Sequence, residues 1–370
     1  MLKNYKIQEI CTLEKGKQID TTCLNDSNPY QYINGGINAS GYYDKYNTGE
    51  NTVIVSEGGA SCGYVNYVTE KFWCGCHCYK LINPTVNAKY LYYALKANQD
   101  SIMNLRSGAA MPNIKKSSFN CMDIKLDDEK DVQDKIIKSL DAIQVLIDNK
   151  NTILKSLDEL VKSRFIEMFG DPLENNKNWI KNKLSEHINV IGGYAFKSSE
   201  YKNCGIPILR IGNINAGYFK NTNLVFYNED KSLEKYKIYP NDLVLSLTGT
   251  AGKDDYGNIC LMDNTYSVYY LNQRNAKIDI FSEAFDKIFL TYLLSQDCIK
   301  QKLTGKNHGI RQGNILNKDI LELSVYIPPI ELQNTFAEFV KQVDKSKFIV
   351  QKQIEYLQEL LDSKMDEYFG

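Results

Sequence analysis

The feature that most constrains this chain is an internal repeat that runs through its 370 residues. The segment LDELVKSRFIEMFG at 157–170 matches LQELLDSKMDEYFG at 357–370, with seven of fourteen positions identical at an offset of 200. Shorter matches follow in the same order in both halves, among them GGINASGYY at 35–43 with GNINAGYF at 212–219. A unit of about 170 residues has therefore been duplicated, and the second copy carries longer insertions.

Each repeat divides into a β-rich part and a helical part. Residues 1–126 and 179–328 contain short β-branched and aromatic runs separated by Gly and Asn, a pattern that predicts strands and turns. A short helix is predicted in each, near 88–105 and 284–303. The fold class that follows is α+β, with two tandem α/β globular modules related by the internal repeat.

Residues 130–169 and 330–369 predict two long amphipathic helices. Neither segment contains Pro or Gly, and apolar residues recur in both at heptad spacing, as helices that pack against each other require. Lys150 and Lys347 interrupt the two apolar stripes at different places, which in coiled coils tends to fix the register. The residues predicted to pack are Leu140, Ile143, Ile147, Leu154, Leu157 and Val161 in the first helix, and Val340, Val343, Val350, Ile354, Leu357 and Leu361 in the second.

Charge follows the same division. The formal net charge is only −1, which argues against a uniformly basic coat for nucleic acid. The globular parts each carry +3, whereas 127–178 carries −4 and 329–370 carries −3. Two mildly basic modules fit an anionic ligand that contacts both of them. An ordinary solvated surface also tolerates such a small excess of positive charge.

The chain lacks the marks of a membrane or secreted protein. No apolar run approaches the roughly 18 residues of a membrane span, and the opening segment has no signal-peptide core. We therefore expect a cytoplasmic protein whose ten cysteines are reduced thiols rather than a disulfide framework.

Catalytic and metal-binding signatures are incomplete. Residues 248–253 resemble a phosphate loop but lack the Gly and the Ser or Thr that the Walker pattern requires. Asn28-Pro29-Tyr30 lacks the second proline of the methyltransferase loop and is interpreted as a local turn. The cluster from Cys74 to Cys78 could bind a metal, but alternate residues of one strand share a face, so core packing is favoured. We expect no catalysis by this chain and no metal site.

Polar, Gly-rich segments are the candidate binding elements. Arg and Lys side chains address guanine, and Asn and Gln address adenine. Such residues gather at 273–275 and 305–314, with a thinner equivalent at 106–116. Ordinary polar loops would look similar, but recurrence in both halves favours function or shared ancestry. The candidates are Arg106, Asn113, Lys115 and Lys116 in the first half, and Gln273, Arg274, Asn275, Lys306, Asn307, His308, Arg311, Gln312 and Asn314 in the second.

Four segments carry a family resemblance. They are GIPILRIGNINAGYFK (205–220), YPNDLVLSLTGTAGK (239–253), QGNI followed by LELSVYIPPIELQNTFAEFV (312–340), and SRFIEMFGDPLENNKNW (163–179). With the tandem architecture, they make the whole chain similar to the specificity subunit of type I restriction–modification systems. The first half departs from the pattern, because LDDEKDVQDKI (126–136) replaces the usual Pro-Pro turn and the central loops are shorter.

The resemblance implies a domain order and a function. Residues 1–126 and 179–328 would be target recognition domains, each reading half of a bipartite DNA target. Residues 127–178 and 329–370 would supply two spacer helices, packed as an antiparallel coiled coil, that dock two modification subunits. Polar residues of the resembling segments complete the candidate DNA-binding set: Arg210, Asn213, Asn215, Thr248, Thr250 and Lys253.

The same resemblance assigns the chemistry to partner subunits. Modification subunits would bind S-adenosylmethionine and methylate adenine, and restriction subunits would use ATP and Mg²⁺, so this chain itself binds no cofactor. One alternative is the recognition subunit of a related system in which a single partner both cuts and methylates. Another is a coiled-coil adaptor that binds proteins and no DNA.

Three finer expectations follow from the loops and the helices. The two modules should read different half-sites, because their loops differ in length and side chains. Arg311 and Gln312 should read bases, whereas Lys253 should contact phosphate. Two helices of roughly 60 Å each should fix the gap between the half-sites.

Overall fold

The computed structural model describes residues 2–108, 111–215, 217–250, 253, 255–305 and 312–370. The chain forms two compact units, Met1–Ile153 with Val350–Gly370, and Leu154–Ile349. Each unit therefore contains one globular module of the repeat and parts of both long helices.

The first module is built from short strands and four short helices within the residues that the structure describes. Its helices are α1 (Ile7–Ile10), α2 (Ala88–Ala97), α3 (Gln99–Asn104) and α4 (Lys116–Asn120). Its strands are β1 (Lys3–Lys6), β2 (Thr12–Lys15), β3 (Tyr30–Ile33), β4 (Gly41–Tyr43), β5 (Thr52–Ser56), β6 (Val65–Val68), β7 (Trp73–Cys74), β8 (Cys78–Ile82) and β9 (Asp123–Leu126).

Two sheets organise this module. The strand order β2-β8-β5-β6 gives an antiparallel sheet, and β4-β3-β7 gives a smaller sheet in which β3 runs antiparallel to β4 and parallel to β7. The run TVIVS forms β5, whose last four residues are buried because both of its faces are covered. β1 pairs with β9 and closes the module beside the first long helix, α5 (Lys130–Phe169).

The second module repeats this plan with additional strands. Its helices are α6 (Lys287–Leu294), α7 (Asp297–Thr304) and α8 (Asn317–Leu321), followed by the second long helix, α9 (Ile330–Phe369). Its strands are β10 (Ile180–Lys183), β11 (Ile188–Gly192), β12 (Ile206–Leu209), β13 (Ile214–Asn215), β14 (Tyr218–Phe219), β15 (Val225–Tyr227), β16 (Lys237–Ile238), β17 (Leu243–Ser246), β18 (Thr248–Thr250), β19 (Ile259–Leu261), β20 (Tyr269–Leu271), β21 (Asn275–Ile280), β22 (Gln312–Asn314) and β23 (Ser324–Ile327).

The sheets of the second module match those of the first in order and direction. The order β11-β21-β17-β19 corresponds to β2-β8-β5-β6, and β12 lies between antiparallel β15 and parallel β20 as β3 lies between β4 and β7. The pair β10–β23 corresponds to β1–β9. The predicted duplication is thus present in the topology. Each single helix predicted near 88–105 and 284–303 is instead a pair, α2–α3 and α6–α7.

In the first unit, the start of α5 and the end of α9 share one hydrophobic core with the sheet. Leu140, Ile143 and Ile147 of α5 are buried there with Leu361 of α9, and Ile354 and Leu357 pack against them partly buried. The hydroxyls of Ser139 and Tyr368 lie 3.3 Å apart, which places the last turn of α9 beside the first third of α5.

In the second unit, the end of α5 packs against the start of α9. Val161 is buried with Val340 and Val343, and Leu157 packs against the same core. The two segments are antiparallel, because Asp158 pairs with Lys347 at 2.5 Å whereas the ring of Phe165 lies 5.5 Å from that of Phe336. Lys347, which interrupts the apolar stripe of α9, is thus paired with a carboxylate of α5. The remaining predicted packing residues, Leu154 and Val350, are partly buried.

All ten cysteines fall in described residues and are free thiols. Within the part of the chain that the structure describes, no helix has the length and apolar character needed to cross a membrane.

Asn28 is held by a hydrogen bond from its backbone N–H to the carbonyl of Asn25, so the segment before β3 is a turn, as predicted.

Candidate nucleic-acid interface

A cleft in the second module gathers several predicted residues at one end of β12 and β20. Its volume is about 560 Å³. Three chain segments line it, Arg210–Asn213 after β12, Lys220–Asn223 after β14, and Asn272–Arg274 after β20, beside the rings of Phe196 and Tyr201. Parallel neighbours such as β12 and β20 end at the same sheet edge, and so the polar loops that follow them converge.

The cleft is cationic. Its charged lining residues are Arg210, Lys220 and Arg274, and no carboxylate belongs to the lining among the described residues. Lys220, Arg274 and the neighbouring Gln273 are exposed. A concave surface lined by one sign of charge concentrates the field and attracts a ligand of opposite charge. This surface therefore suits an anion such as a nucleic-acid backbone.

Arg210 has an unused donor at this site. One terminal nitrogen of its guanidinium donates to the carbonyl oxygen of Asn223. Its Nε is buried and has no acceptor among the described residues. A buried N–H without a partner costs about 1–3 kcal/mol.

The turn that carries Gln273 and Arg274 is held by its backbone. The N–H of Asn275 donates to the carbonyl of Asn272 at 2.9 Å, and the N–H of Gln273 donates to the carbonyl of Tyr194 at 2.9 Å. The N–H of Leu247 donates to the carbonyl of Arg274 at 2.8 Å. With the backbone occupied in this way, the side chains of Gln273 and Arg274 are left free to face a ligand.

Asn213 and Asn275 lie differently from the sequence prediction. Asn275 is fully buried, and its Nδ2 donates to the carbonyl of Leu209 at 2.8 Å. Asn213 is 3% exposed, and its Nδ2 donates to the carbonyls of Lys220 and Thr222 at 3.0 and 2.9 Å. Both amides therefore support the loops of the cleft instead of facing a base. Asn215 is half-buried in β13, where its Nδ2 has no partner among the described residues.

A two-stranded ribbon, β18 with β22, begins beside the cleft. Thr248 lies opposite Asn314, and Gly249 opposite Gly313. Tyr256 packs against the ribbon so closely that a Cβ on Gly313 would lie 2.4 Å from the tyrosine oxygen. Glycine is therefore required where the ribbon crosses this ring. Residues 248–250 of the segment that resembles a phosphate loop form strand β18.

Asp255 holds Thr250, the last residue of β18, through two hydrogen bonds. The backbone N–H and the hydroxyl of Thr250 both donate to its carboxylate, each at 2.8 Å. Burial raises the pKa of Asp255, but the hydrogen bonds from Thr250 outweigh it, and the pKa lies below the ordinary value. Thr250 is thus engaged within the chain, whereas Lys253 is exposed.

Five candidates cannot be placed in this way. The residues Lys306, Asn307, His308 and Arg311, and the side chain of Gln312, lie outside the described residues.

In the first module, the predicted segment at 106–116 lies beside β5. The guanidinium of Arg106 donates through Nε to the carbonyl of Cys62 at 2.8 Å, so its fork is occupied within the chain. Asn113 exchanges two backbone hydrogen bonds with Ser107, each 2.9 Å long. Asn113 is exposed, as are Lys115 and Lys116 at the start of α4.

The segment from Cys74 to Cys78 joins β7 to β8. Cys74 and Cys78 are fully buried in a small core with Ile33 and Phe72, but Cys74 ends β7 and Cys78 begins β8. The prediction that the cysteines share one face of a single strand was therefore wrong, because the chain turns at 75–77. Cys76 is only partly buried, and its Sγ lies 3.0 Å from Gln18 Oε1. The described residues contain no group of three or more His, Cys, Asp or Glu side chains placed to bind a metal.

The sequence prediction missed most of the residues that line the cleft, including two polar ones that adjoin predicted segments. Lys220 and Asn272 both line it, but neither was a candidate. Lys220 closes one of the resembling segments, and Asn272 directly precedes Gln273, so their positions next to motif residues were the available signal.

Comparison with known proteins places the chain in a family. The family model described as type I restriction modification DNA specificity domain matches twice, at residues 2–159 and 176–359. The chain belongs to the type I restriction–modification specificity family. The two matches coincide with the two copies of the internal repeat, so each module with its helix is one specificity domain.

Curated relatives of this specificity family come from bacteria and archaea. A putative type I specificity subunit of Mycoplasma genitalium is 33% identical over 201 residues, which cover 53% of this chain and 52% of the relative. The specificity subunit of the type I restriction enzyme MjaVIII of Methanocaldococcus jannaschii is 27% identical over 293 residues, 75% of this chain and 68% of the relative. The chain spans about half the length of the first Mycoplasma relatives that it matches.

Solved structures show the same fold. The crystal structure of a type I restriction–modification S subunit from M. genitalium superposes with a TM-score of 0.58 at 22% identity, covering 100% of this chain and 96% of that one. A chain from a structure on complex assembly and conformational transition of the type I system gives a TM-score of 0.58 at 12% identity, covering 99% and 97%. At these identities the likeness concerns the fold alone.

Proposed function

We propose that this chain is the DNA-recognition subunit of a type I restriction–modification complex, and that each module reads half of a bipartite target. The observation that supports this best is the cationic cleft of the second module. Gln273 and Arg274 lie there on a turn that backbone hydrogen bonds hold in place. Family membership supports the same assignment. The sequence read by each half depends on side chains that differ between the modules.

The chemistry of the cleft suits base and phosphate contacts together. Arg274 can donate two hydrogen bonds to guanine O6 and N7, and Gln273 can pair with adenine N6 and N7. Lys220 and Arg210 offer positive charge for phosphates, which position a protein on the duplex without reading sequence. A rigid turn keeps the entropic cost of ordering these side chains low.

In the first unit, apolar side chains remain exposed on the long helices. Val145 of α5 is 55% exposed and Tyr356 of α9 is 66% exposed, alongside Leu146 and Ile153. Large exposed apolar groups on a helix mark a surface that another protein can cover. We assign this surface to a modification subunit.

The second unit carries exposed apolar residues on the same two helices. Leu160 and Ile166 of α5 are 47% and 44% exposed, and Ile349 of α9 is 57% exposed. One docking surface in each unit fits two modification subunits for each chain, because the repeat duplicates the surface along with the module.

In this proposal the chain performs no chemistry. Partner modification subunits bind S-adenosylmethionine and methylate adenine, and restriction subunits use ATP and Mg²⁺. The chain contributes sequence readout and a scaffold.

The test is the methylated motif of cells that express this chain with its modification subunit. Exchanging residues 179–328 for the corresponding module of another family member should change one half of the motif and leave the other intact. A matched exchange of residues 1–126 should change only the opposite half.

Two results would reject the proposal. If both halves changed after one exchange, or neither did, the modules would not be independent readers. If the intact complex shifted all DNA sequences equally, or none, the chain would be a protein adaptor instead.

A further inference from the structure

A turn in the first module, Gly75–Cys78, repeats the backbone contacts of the turn that lines the cleft of the second. The N–H of Gly75 donates to the carbonyl of Ile33 at 2.8 Å, as the N–H of Asn272 donates to Leu209 at 3.3 Å. Both acceptors are the last residues of equivalent strands, β3 and β12. The two turns therefore start at the same place in the repeated fold.

Two further hydrogen bonds fix the register of the turns. The N–H of Cys78 donates back to the carbonyl of Gly75 at 3.2 Å, matching the bond from Asn275 to Asn272 at 2.9 Å. The N–H of Glu57, next to β5, donates to the carbonyl of His77 at 2.7 Å. In the second module the equivalent bond runs from Leu247, next to β17, to Arg274.

The support beneath the turns is also repeated. A Cβ on Gly16 would lie 2.1 Å from the carbonyl oxygen of Gly75, and a Cβ on Gly193 would lie 2.2 Å from that of Asn272. Glycine is therefore needed at both positions, because any side chain would push the turn away. These contacts make Cys76 the structural equivalent of Gln273, and His77 that of Arg274.

Each turn ends in a buried residue whose side chain lies near the end of the preceding equivalent strand, Cys78 in the first module and Asn275 in the second. Cys78 occupies the place of Asn275, with its Sγ 3.6 Å from the carbonyl of Ile33, where the amide of Asn275 bonds to Leu209. The residues between the anchors remain at the surface, since His77 is exposed and Cys76 is partly buried. The framework is thus common to both modules, and only the presented side chains differ.

We propose that Cys76 and His77 form the base-reading turn of the first module, with Gln18 as the residue that positions Cys76. This inference rests on the proposed function and replaces the segment at 106–116 as the main reader of the first half-site. Gln18 holds the thiol of Cys76 in place, because its Oε1 accepts from Cys76 Sγ at 3.0 Å and its Nε2 donates to the carbonyl of Ile19 at 3.1 Å. The side chain of His77 is exposed, whereas the guanidinium of Arg106 is bound to the carbonyl of Cys62.

The ligand is duplex DNA, read through the side chains that this turn presents. Imidazole can hydrogen-bond to a base edge, and a cysteine sulfur is a weak donor and acceptor. The equivalent turn of the second module presents the guanidinium of Arg274, which favours guanine. The two half-sites should therefore differ at the bases that meet these turns.

Substitution in the complete modification complex tests the proposal. We expect His77→Ala and Cys76→Ala to relax one or two positions in one half of the methylated motif, with a loss of discrimination of about tenfold or more. Arg274→Ala should relax the other half. His77→Arg should introduce a preference for guanine at the relaxed position. Lys116→Ala, in the competing segment, should weaken binding without changing the motif.

The outcomes separate this inference from the proposed function. If Arg274→Ala alters one half-site while the substitutions at Cys76 and His77, including His77→Arg, alter neither, the inference is overturned and the proposed function stands. If neither turn affects the motif, both are overturned. If Lys116→Ala changes the bases that are read, the segment at 106–116 is the reader and the inference is again overturned.

Thiol protection supplies a readout that does not depend on methylation. In the folded complex, alkylation of Cys76 by N-ethylmaleimide should slow when duplex containing the recognised motif is added. Cys121, an exposed thiol at the end of α4, is the internal reference and should react at the same rate throughout. Equal alkylation of Cys76 with and without the duplex would overturn the proposal.

Discussion

Leu247, which lies between β17 and β18, joins the turn of the cleft to the ribbon beside it. Its N–H donates to the carbonyl of Arg274 at 2.8 Å, and its own carbonyl accepts the N–H of Ile315 at 2.8 Å. One buried residue thus holds both polar segments of the second module against the central sheet. Side chains mounted on segments held in this way keep their positions when a ligand arrives, which favours selective binding.

We expect Arg274 and Lys253 to affect DNA binding in different ways. Arg274→Ala should cost about 1–3 kcal/mol on the preferred duplex and relax specificity at one position, because a base contact is lost. Lys253→Ala should weaken all duplexes about equally, since a phosphate contact carries no sequence information. Binding of the modification complex to a panel of single-base variants, followed by fluorescence anisotropy, measures both.

Lys318 offers a matched control for these two substitutions. It is an exposed lysine of α8 that pairs with Glu322 and does not line the cleft. Lys318→Ala should leave the affinity and the motif unchanged. An equal effect of Arg274→Ala on every duplex would contradict its assignment as a base reader.

Adjacent glycines should respond very differently to the addition of a methyl group. Gly193→Ala would place Cβ 2.2 Å from the carbonyl oxygen of Asn272, so the turn must move, at a cost of about 1–3 kcal/mol in unfolding free energy. Gly192→Ala meets only the amide of Asn317 at 3.8 Å, an ordinary contact. Urea denaturation of both variants measures the difference. Similar stabilities would show that the turn is not anchored where the structure places it.

The aromatic cluster of the second unit should dominate the stability of that unit. Phe165 is 1% exposed, and its ring lies 5.0 to 5.7 Å from the rings of Phe169, Phe289 and Phe336. Phe165→Ala should lower the unfolding free energy by about 3–5 kcal/mol, because it removes packing and leaves a cavity. Ile166, its neighbour, is 44% exposed, so Ile166→Ala should change stability by less than about 0.5 kcal/mol. Chemical denaturation distinguishes the two, and equal losses would contradict the packing described for α5.

Tyr79 should make the first unit sensitive to alkaline pH. Its buried hydroxyl lies 3.1 Å from both Glu57 Oε1 and the carbonyl of Ile114. Burial, followed by the nearby charge of Glu57, raises the pKa of Tyr79 above its ordinary value of about 10. The folded state therefore retains this proton longer than the unfolded state does. The resulting stability is complete below pH 10 or so and is lost as the pH rises toward the folded-state pKa.

Tyr79→Phe tests this linkage. At neutral pH the variant should be less stable, because Glu57 and Ile114 lose a donor. Above about pH 10 its stability should fall less steeply than that of the parent chain, since one ionising group is gone. Thermal unfolding followed from pH 7 to 11 measures both slopes. Parallel curves would show that Tyr79 does not titrate differently in the two states.

The large-scale organisation could be predicted from the sequence because its signals are periodic or repeated. The heptad stripes predicted helices at 130–169 and 330–369, and α5 and α9 have those bounds. Helix formation and the choice of a buried face depend on residues three and four positions apart, which a sequence displays directly. The duplication likewise predicted two modules of one topology.

The surfaces proposed to read DNA depended on tertiary structure. Asn213 and Asn275 have the amide chemistry of base readers, but the folded chain buries both and uses them to hold the cleft loops. Cys76 and His77 share no residue type with Gln273 and Arg274. The two pairs correspond because the carbonyls of Ile33 and Leu209, at the ends of equivalent strands, accept backbone N–H groups from equivalent positions in the two turns. Backbone hydrogen bonds are independent of side-chain identity, so this equivalence leaves no trace in the sequence and appears only when the strands are assembled.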